Sequence, residues 1–144
     1  MAKSGIQNLQ GFQKKLKKRI VDNPEKHLKQ LVQRAATTVE GTAKESIVSG
    51  NPTGRTYVRG GISHTASAAG QPPAQDQGQL AQNITTKVTT NGTQVIGQII
   101  ASAPHAPHLE FGTSTIEPRP FMQPALERNR PKIKRMFKKG GYVD

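Results

Sequence analysis

Two histidines in the second half of the chain have a spacing that could bind a metal ion. His105 and His108 stand three residues apart, and Glu110 follows as an oxygen ligand. On a helix this spacing would place both imidazoles on one face, an arrangement that suits zinc. Pro104 and Pro107 disfavour a helix here, and the chain has no Cys to complete a ligand set. We therefore predict no metal site, and structural or solvent-facing roles for both histidines.

Two further motifs could suggest catalysis or phosphate binding. Ser63 precedes His64, but no acidic residue follows at a spacing that would orient the imidazole as a general base. Residues 53–55 and the Gly60-Gly61 pair are rich in glycine, yet the Gly-Lys-Ser/Thr ending and the preceding strand of a phosphate loop are missing. The absence of Cys also removes disulfides and thiol chemistry. The sequence thus predicts a protein that is not an enzyme and uses no cofactor.

The chain is strongly basic, and its positive charges are concentrated near both ends. Lys and Arg number 21 against 9 Asp and Glu, which gives a formal net charge of +12. The basic clusters are Lys14, Lys15, Lys17, Lys18 and Arg19 near the N-terminus, and Arg128, Arg130, Lys132, Lys134, Arg135, Lys138 and Lys139 near the C-terminus. Such residues, interleaved with apolar ones, are typical of the solvated face of an amphipathic helix, and we favour this interpretation over DNA binding. Acidic surfaces of nucleic acid or protein would both attract the chain.

Length and composition predict one small domain that depends on partners. The 144 residues leave room for a single domain, which we assign to residues 1–144. Only 33% of the residues are hydrophobic and 4% are aromatic, so either part of the chain is loose or partners complete its burial. The sequence has no secretion signal and no apolar run of about 20 residues. We therefore expect assembly in the cytoplasm and no membrane contact.

Apolar residues recur at helical spacing in the first third of the chain. A first amphipathic helix is predicted from Ile6, Leu9, Phe12, Leu16 and Ile20. A second helix should begin with Asp22 or Asn23 as its cap and Pro24 in its first turn. Its apolar stripe comprises Leu28, Leu31, Val32, Ala35, Ala36, Val39, Ala43 and Ile47. Gly50 and Pro52 should end this helix, which we expect to cover the core.

Between Gly50 and Gly78 the sequence shows no apolar periodicity, and Gly, Pro, Ser, Ala and Gln dominate. We predict an extended loop over residues 50–79 that is mobile in the free subunit and becomes ordered against neighbouring chains. The loop's candidate contact residues are its larger apolar side chains and the arginines that flank them: Arg55, Tyr57, Val58, Arg59 and Ile62.

The remaining chain predicts a small sheet followed by a helix. Residues 84–88 alternate between apolar and polar, Asn91-Gly92 favours a tight turn, and residues 95–101 form a second apolar strand. Residues 109–111 could add a third strand. The terminal helix should be kinked or divided at Pro131, with a frayed tail at Gly140-Gly141. The predicted fold class is α+β, with N-terminal helices packed on a small antiparallel sheet and a C-terminal helix.

Two stretches near the C-terminus together resemble a known family. They are His108-Leu109-Glu110-Phe111-Gly112-Thr113 and Pro118-Arg119-Pro120-Phe121-Met122-Gln123-Pro124-Ala125-Leu126. This pair is similar to the signature of the phage tail-completion family, which includes the minor tail protein Z of lambda-like phages. Residues 54–80 also resemble that family's central loop and first strand. Pro118 departs from the pattern, since the family usually has Ala there, and Pro131 interrupts the terminal helix.

These motif residues have plausible structural roles. Gly112 permits a positive φ after a strand, Pro120 stiffens the chain, and Phe121 can fill the core. Arg119 could pair with Glu110 across the turn.

The resemblance implies a ring-forming virion subunit of the phage neck. It implies a homo-oligomer, expected to be a hexameric ring, that completes the head-proximal end of the tail for joining to the head. The implied partners are other neck and tail proteins, with a passing contact to phage DNA. A tail terminator ring is the nearest alternative. A basic DNA-binding protein, using both terminal clusters on phosphates, is an alternative of another class.

Overall fold

A computed structural model describes residues 11, 13–15, 17, 23–75 and 78–143. In this part of the chain the fold is α+β. The elements are α1 (Pro24–Val48), β1 (Thr56–Arg59), β2 (Ile62–Thr65), α2 (Gln79–Gln82), β3 (Ile84–Asn91), β4 (Gln94–Ala101), α3 (Ala106–Phe111) and α4 (Met122–Lys139). Residues 11, 13–15 and 17 are helical, but the apolar residues from which the first helix was predicted lie outside the described residues.

Helix α1 confirms the predicted second helix. Asn23 is its cap, and the Asn23 side chain accepts a hydrogen bond of 3.2 Å from the Lys26 amide. The buried stripe consists of Leu31, Ala35, Ala36, Val39, Ala43 and Ile47. The helix ends at Val48, and the N–H of its C-cap residue, Ser49, donates to the Glu45 carbonyl at 2.8 Å.

Strands β3 and β4 form the predicted antiparallel hairpin, in a register that runs from Ile84 opposite Ala101 to Asn91 opposite Gln94. The two central turn residues are therefore Gly92 and Thr93, one residue later than predicted. Gly92 has a φ of 58°, which glycine adopts without a steric penalty. The hairpin packs against α1, and Ile84 is fully buried.

One hydrophobic core joins α1 to α2, the β3–β4 hairpin, α3 and α4. Its largest fully buried side chains are Phe121, Ile47 and Ile84, so the prediction that Phe121 fills the core is confirmed. Asn129 on α4 is buried with its amide satisfied, because Nδ2 donates to Thr42 Oγ1 on α1 and to the Ala125 carbonyl, both at 2.8 Å.

Helix α4 continues through Pro131, so the predicted division there is wrong. Proline at this position removes the hydrogen bond to the carbonyl of Glu127. Both residues are exposed, and water can satisfy that carbonyl.

The predicted fraying of Gly140-Gly141 is also wrong. The Tyr142 N–H donates to the Phe137 carbonyl at 3.1 Å, and the Tyr142 ring stacks on His27 with centroids 5.6 Å apart.

Helix α3 overturns two predictions, a third strand at residues 109–111 and an absence of helix around His105 and His108. The helix starts at Ala106, so Pro107 lies in its first turn, where a backbone N–H has no intrahelical partner to lose. Gly112, at φ 75°, follows the helix and turns the chain away.

The segment 50–79, predicted as a loop without regular structure, contains a β-hairpin, so that part of the prediction is wrong; its mobility in the free subunit stays a prediction. Strands β1 and β2 pair from Thr56 opposite Thr65 to Arg59 opposite Ile62. The turn between them is Gly60-Gly61, with φ values of 58° and 79° that are typical of a two-residue hairpin turn. Beyond the hairpin, the Gln71 side-chain oxygen accepts from the amides of Thr53 at 3.2 Å and Ala68 at 2.9 Å.

A carboxylate links α1 to the sheet. Glu40 Oε1 accepts from Lys44 Nζ at 2.6 Å, and Glu40 Oε2 accepts from the Thr86 hydroxyl on β3. The hydrogen bond from Lys44, followed by that from Thr86, lowers the pKa of Glu40 below its ordinary value of 4.5. Ionised Glu40 therefore stabilises the packing of α1 on β3.

We predict opposite effects of alanine at two glycines. A Cβ on Gly97 of β4 would lie 2.7 Å from Val32 Cγ1 of α1, whereas one on Gly41 of α1 would meet nothing within 4 Å. Gly97→Ala should lower the free energy of unfolding by about 1–3 kcal/mol through overpacking. Gly41→Ala should raise it by up to about 1 kcal/mol through helix propensity. Urea denaturation measures both, and a stabilising Gly97→Ala would contradict the close approach of α1 to β4.

We also predict a pH dependence that Glu40 carries. Because folding lowers its pKa, Glu40 contributes stability above pH 4.5, and this contribution is lost as the pH falls through the folded-state pKa. Glu40→Gln should therefore be less stable than the parent at neutral pH, and the difference should shrink in acid. Thermal unfolding from pH 3 to 7 would test this, with Glu45→Gln as the control, and a constant difference across that range would contradict it.

Candidate interaction surface

The signature residues form one connection between α3 and α4, and its central feature is the Glu110 carboxylate. Glu110 Oε2 accepts from the amides of Phe121 at 2.8 Å and Met122 at 3.0 Å, and Oε1 accepts from the Gln123 amide at 2.9 Å. Phe121 is the cap residue of α4, and its phenyl ring has no oxygen that could accept hydrogen bonds from these amides. A carboxylate from α3 thus satisfies the first amides of α4, at the end where the helix dipole favours an anion.

The predicted ion pair between Arg119 and Glu110 is wrong, because both Glu110 oxygens face the amides of α4. Arg119 instead anchors the connection through its backbone, whose N–H donates to the Leu109 carbonyl at 2.7 Å. Its side-chain Nε is buried without a hydrogen-bond partner. No local pattern could have revealed the capping role of Glu110, since its partners lie 11 to 13 residues further along the chain.

A tight turn follows α3 and shapes the start of the connection. A Cβ on Gly112 would lie 2.7 Å from the Ile116 carbonyl oxygen, so glycine is required by space as well as by its φ of 75°. Thr113 closes the turn: its N–H donates to the Ile116 carbonyl at 2.8 Å, and its Oγ1 accepts from the amides of Thr115 at 3.2 Å and Ile116 at 3.1 Å. The prediction of a positive φ at Gly112 is confirmed, although a helix precedes it instead of a strand.

The two phenylalanines of the signature have opposite environments. Phe121 is 1% exposed in the core, whereas Phe111 is 77% exposed. Phe111 borders an apolar cavity of about 400 Å³ between β4, α3 and α4, which Ile99 and Leu126 also line. Pro120, between Arg119 and Phe121, is half-buried. The sequence predicted the core position of Phe121 but gave no signal for the exposure of Phe111.

The β1–β2 hairpin carries all but one of the contact residues predicted from the central segment, and Arg55 immediately precedes it. Val58 is 72% exposed, Ile62 64% and Tyr57 40%. The Tyr57 ring stacks on His64, with centroids 5.8 Å apart. The hairpin thus presents large apolar side chains to solvent, and the neighbouring arginines Arg55 and Arg59 are also exposed.

The hairpin and the signature connection meet at one cavity of about 740 Å³. Tyr57 and Arg59 line it from the hairpin, and Leu109 and Arg119 line it from the signature. Gly70 lies in the stretch that follows β2. Its amide donates a hydrogen bond of 3.0 Å to the Pro118 carbonyl and links that stretch to the signature connection. The structure therefore brings together residues that lie about 50 to 60 positions apart in the sequence.

The basic clusters lie on helix surfaces, as predicted. The described members of the N-terminal cluster, Lys14, Lys15 and Lys17, are helical and exposed, while Lys18 and Arg19 lie outside the described residues. On α4, seven cations are exposed: Arg128, Arg130, Lys132, Lys134, Arg135, Lys138 and Lys139. The acidic residue of this helix, Glu127, pairs with Arg130 at 2.8 Å. Most of the positive charge of α4 is thus available to an anionic partner.

The described residues contain neither a metal-binding cluster nor a membrane-spanning helix. Within residues 23–75 and 78–143, no three His, Asp or Glu residues are grouped closely enough to hold a metal ion, and His105 and His108 are exposed. None of the helices in the described part of the chain has the length and hydrophobicity needed to cross a bilayer. No family model, curated protein or solved structure matches the chain.

We predict that the Glu110 cap is required for stability. Glu110→Ala should lower the free energy of unfolding by about 2 kcal/mol, because the first amides of α4 lose a charged acceptor. Glu110→Gln should lose about half as much, since its amide keeps one acceptor oxygen. Glu117→Ala, an exposed position in the same connection, is the matched control and should change stability by less than about 0.5 kcal/mol. Chemical denaturation would measure all three, and equal losses for Glu110→Ala and Glu117→Ala would contradict the cap.

Proposed function

We propose that this chain is a structural subunit of a phage neck that forms a ring at the head-proximal end of the tail and completes it for joining to the head. The observation that carries the proposal is the order and spacing of the signature from Glu110 to Thr113 and from Arg119 to Phe121. In the folded chain these residues act as one unit, because Glu110 caps the helix that Phe121 anchors. An unrelated helix-to-helix connection would not need all of them together.

Function by assembly, without catalytic turnover, is supported by the distribution of apolar side chains. The β1–β2 hairpin exposes Val58 and Ile62 by more than half, and Phe111 is exposed beside an apolar cavity. Large apolar side chains exposed on a hairpin and beside an apolar cavity are typical of surfaces that a partner covers. A ring provides such a partner through repeated copies of one contact between neighbours.

A tail terminator ring is the nearest alternative. It would use the same surfaces, so the fold does not separate the two roles. The position of the chain along the neck of an assembled particle separates them, because a terminator caps the polymerised tail tube and a completion protein faces the head.

A basic DNA-binding protein is the second candidate, and the exposed cations of α4 favour it. DNA binding through phosphates would weaken steeply with salt, with a slope that reports the number of phosphates neutralised. Sequence preference is not expected, because contacts to the backbone carry no base information. Tight binding to duplex DNA at physiological salt by a chain that stays monomeric would favour this candidate over the ring.

We predict that apolar residues of the β1–β2 hairpin are needed for assembly and not for folding. Val58→Asp and Tyr57→Ala should shift the purified protein from oligomer to monomer while leaving its thermal unfolding nearly unchanged, because neither residue belongs to the core. Val143→Asp, at an exposed apolar position outside the hairpin, is the control and should assemble as the parent does. Native mass spectrometry measures the oligomer, and normal assembly of both hairpin variants would count against this contact.

The role in the particle is tested by deletion of the gene in a phage that encodes this chain. The expected result is filled heads and finished tails that do not join, with infectivity restored by the parent gene and not by Val58→Asp. Infectious particles from the deletion would refute the proposed function.

A further inference from the structure

A large open groove lies along helix α1, which packs between the β3–β4 hairpin and α4. The groove has a volume of about 1460 Å³. Helix α1 lines it from Lys26 to Glu45, which is about 28 Å of helix. Val88 and Thr90 line it from β3, and Lys132 lines it from α4. We call this the α1–α4 groove.

Cations from two separate parts of the chain meet at one end of the groove. Helix α4 runs antiparallel to α1, because Asn129 bonds to Thr42 and Tyr142 stacks on His27. The last turns of α4 therefore lie beside the first turns of α1. The exposed cations at this end are Lys26, Lys29 and Arg34 on α1 and Lys132, Arg135 and Lys139 on α4. The α1 cations belong to neither basic cluster of the sequence, so folding is what places them next to the C-terminal cluster.

Lys132 belongs to a basic stripe along one side of α4. The members of this stripe are spaced by four, three and four residues, which places them on the same side of the helix. They are Arg128, Lys132, Arg135 and Lys139. Lys134 is also exposed, but the helical period places it about 160° around α4 from Lys132. The helix thus carries cations of the same type on the groove side and away from it.

The cations that line the groove are available to a ligand. Lys26, Arg34 and Lys132 are exposed and form no ion pair with any described residue. Lys29 pairs with Glu25 at 2.7 Å, but both side chains are exposed, and such a surface pair contributes little to stability. An anion that approaches all four cations can therefore displace this pair.

The rest of the lining is polar and suits phosphate oxygens. Side-chain amides and hydroxyls such as those of Gln30 and Thr37 are common contacts of a nucleic-acid backbone. Thr37 Oγ1 accepts from Gln33 Nε2 at 3.1 Å, which leaves the Thr37 O–H as a donor. Glu45 is the acidic residue among the described lining residues, and it lies at the opposite end of the groove from Lys26.

This lining favours duplex DNA over two other polyanions. Single-stranded nucleic acid is held largely by bases that stack on aromatic rings, and none of the described lining residues is aromatic. Interfaces with proteins are centred on apolar or aromatic anchors, whereas the large apolar residue of the described lining, Val88, is half-buried. A duplex carries one charge per about 1.7 Å of its axis, so a groove of this length meets several phosphates at once.

We propose that the α1–α4 groove binds the phosphate backbone of duplex DNA without reading its sequence. This inference goes beyond the proposed function, because it assigns a site that holds for a single chain as well as for a ring. None of the described lining residues belongs to the β1–β2 hairpin, so the groove is separate from the proposed assembly contact. One chain offers few cations to phosphates, so its binding should be weak at physiological salt, and several grooves on one assembly should bind together more tightly.

The test measures binding of the full chain to a fluorescently labelled duplex of about 20 base pairs by anisotropy, between 50 and 200 mM NaCl. A plot of the logarithm of the association constant against that of the salt concentration should have a slope of about −3.6, as expected for neutralisation of about four phosphates. Two duplexes of unrelated sequence should bind equally, because contacts to phosphates carry no base information.

Matched variants locate the site. Arg34→Gln and Lys132→Gln should each weaken binding about tenfold at 50 mM salt and reduce the salt slope by about 1. Lys134→Gln is the control, because it removes the same charge from the other side of α4, and it should weaken binding less than about threefold. All three positions are exposed, so the midpoint of thermal unfolding should not change.

Two further probes separate duplex DNA from other polyanions. An oligothymidine single strand of the same length and poly-L-glutamate of matching charge should each bind at least about tenfold more weakly than the duplex. Three outcomes would overturn the proposal: no binding of duplex at 50 mM salt, equal losses for Lys132→Gln and Lys134→Gln, or equal affinity for either of these probes.

The groove and the proposed ring contact fail independently. If Lys132→Gln binds DNA like the parent while Val58→Asp prevents assembly, the groove inference is wrong and the proposed function stands. If Lys132→Gln loses DNA while Val58→Asp assembles normally, the groove stands and the ring contact is wrong.

Discussion

The Glu110 carboxylate is the contact on which the arrangement of the C-terminal half depends. It is held on α3 and satisfies three amides at the start of α4, a helix whose own cap residue, Phe121, offers no acceptor. This fixes the position of α4 relative to α3. The side chain of Phe121 can then enter the core, and Asn129, two turns later, reaches Thr42 on α1. A single charged group thus satisfies the amides at the start of an 18-residue helix.

Small side chains and polar links between the layers explain how a chain with few large apolar residues can fold. The core contains many alanines, which let α1 lie close to β4 and α4, and polar side chains supply the links between layers. Glu40 bonds to Thr86 across the helix and sheet, and Asn129 bonds to Thr42 across two helices. Val58 and Phe111 are exposed at the surface. Satisfied polar contacts thus join the layers of a core whose largest fully buried side chains are Phe121, Ile47 and Ile84.

The sequence predicted those elements whose signals are local. Helix α1 has a cap, a periodic stripe and a stop within 30 residues, and the β3–β4 hairpin has alternation and a glycine turn. The β1–β2 hairpin was missed although Gly60-Gly61 between β-branched and aromatic residues is a hairpin signal, because the composition around it favoured a loop. Helix α3 was missed because Pro107 counts against a helix everywhere except in its first turn. The Glu110 cap depends on contacts between residues 11 to 13 positions apart, which no local spacing encodes.

Each sheet in the described part of the chain has two strands, so every strand pairs along one side only. Open edges promote nonspecific sheet extension between molecules, and the usual safeguard is charge. Here the safeguard is the positive charge of the whole chain, whose repulsion reaches about 10 Å at 0.1 M salt and shortens as salt is added. Colloidal stability in solution is therefore tied to ionic strength: dilute buffers keep the molecules apart, and concentrated salt removes the barrier that protects the edges.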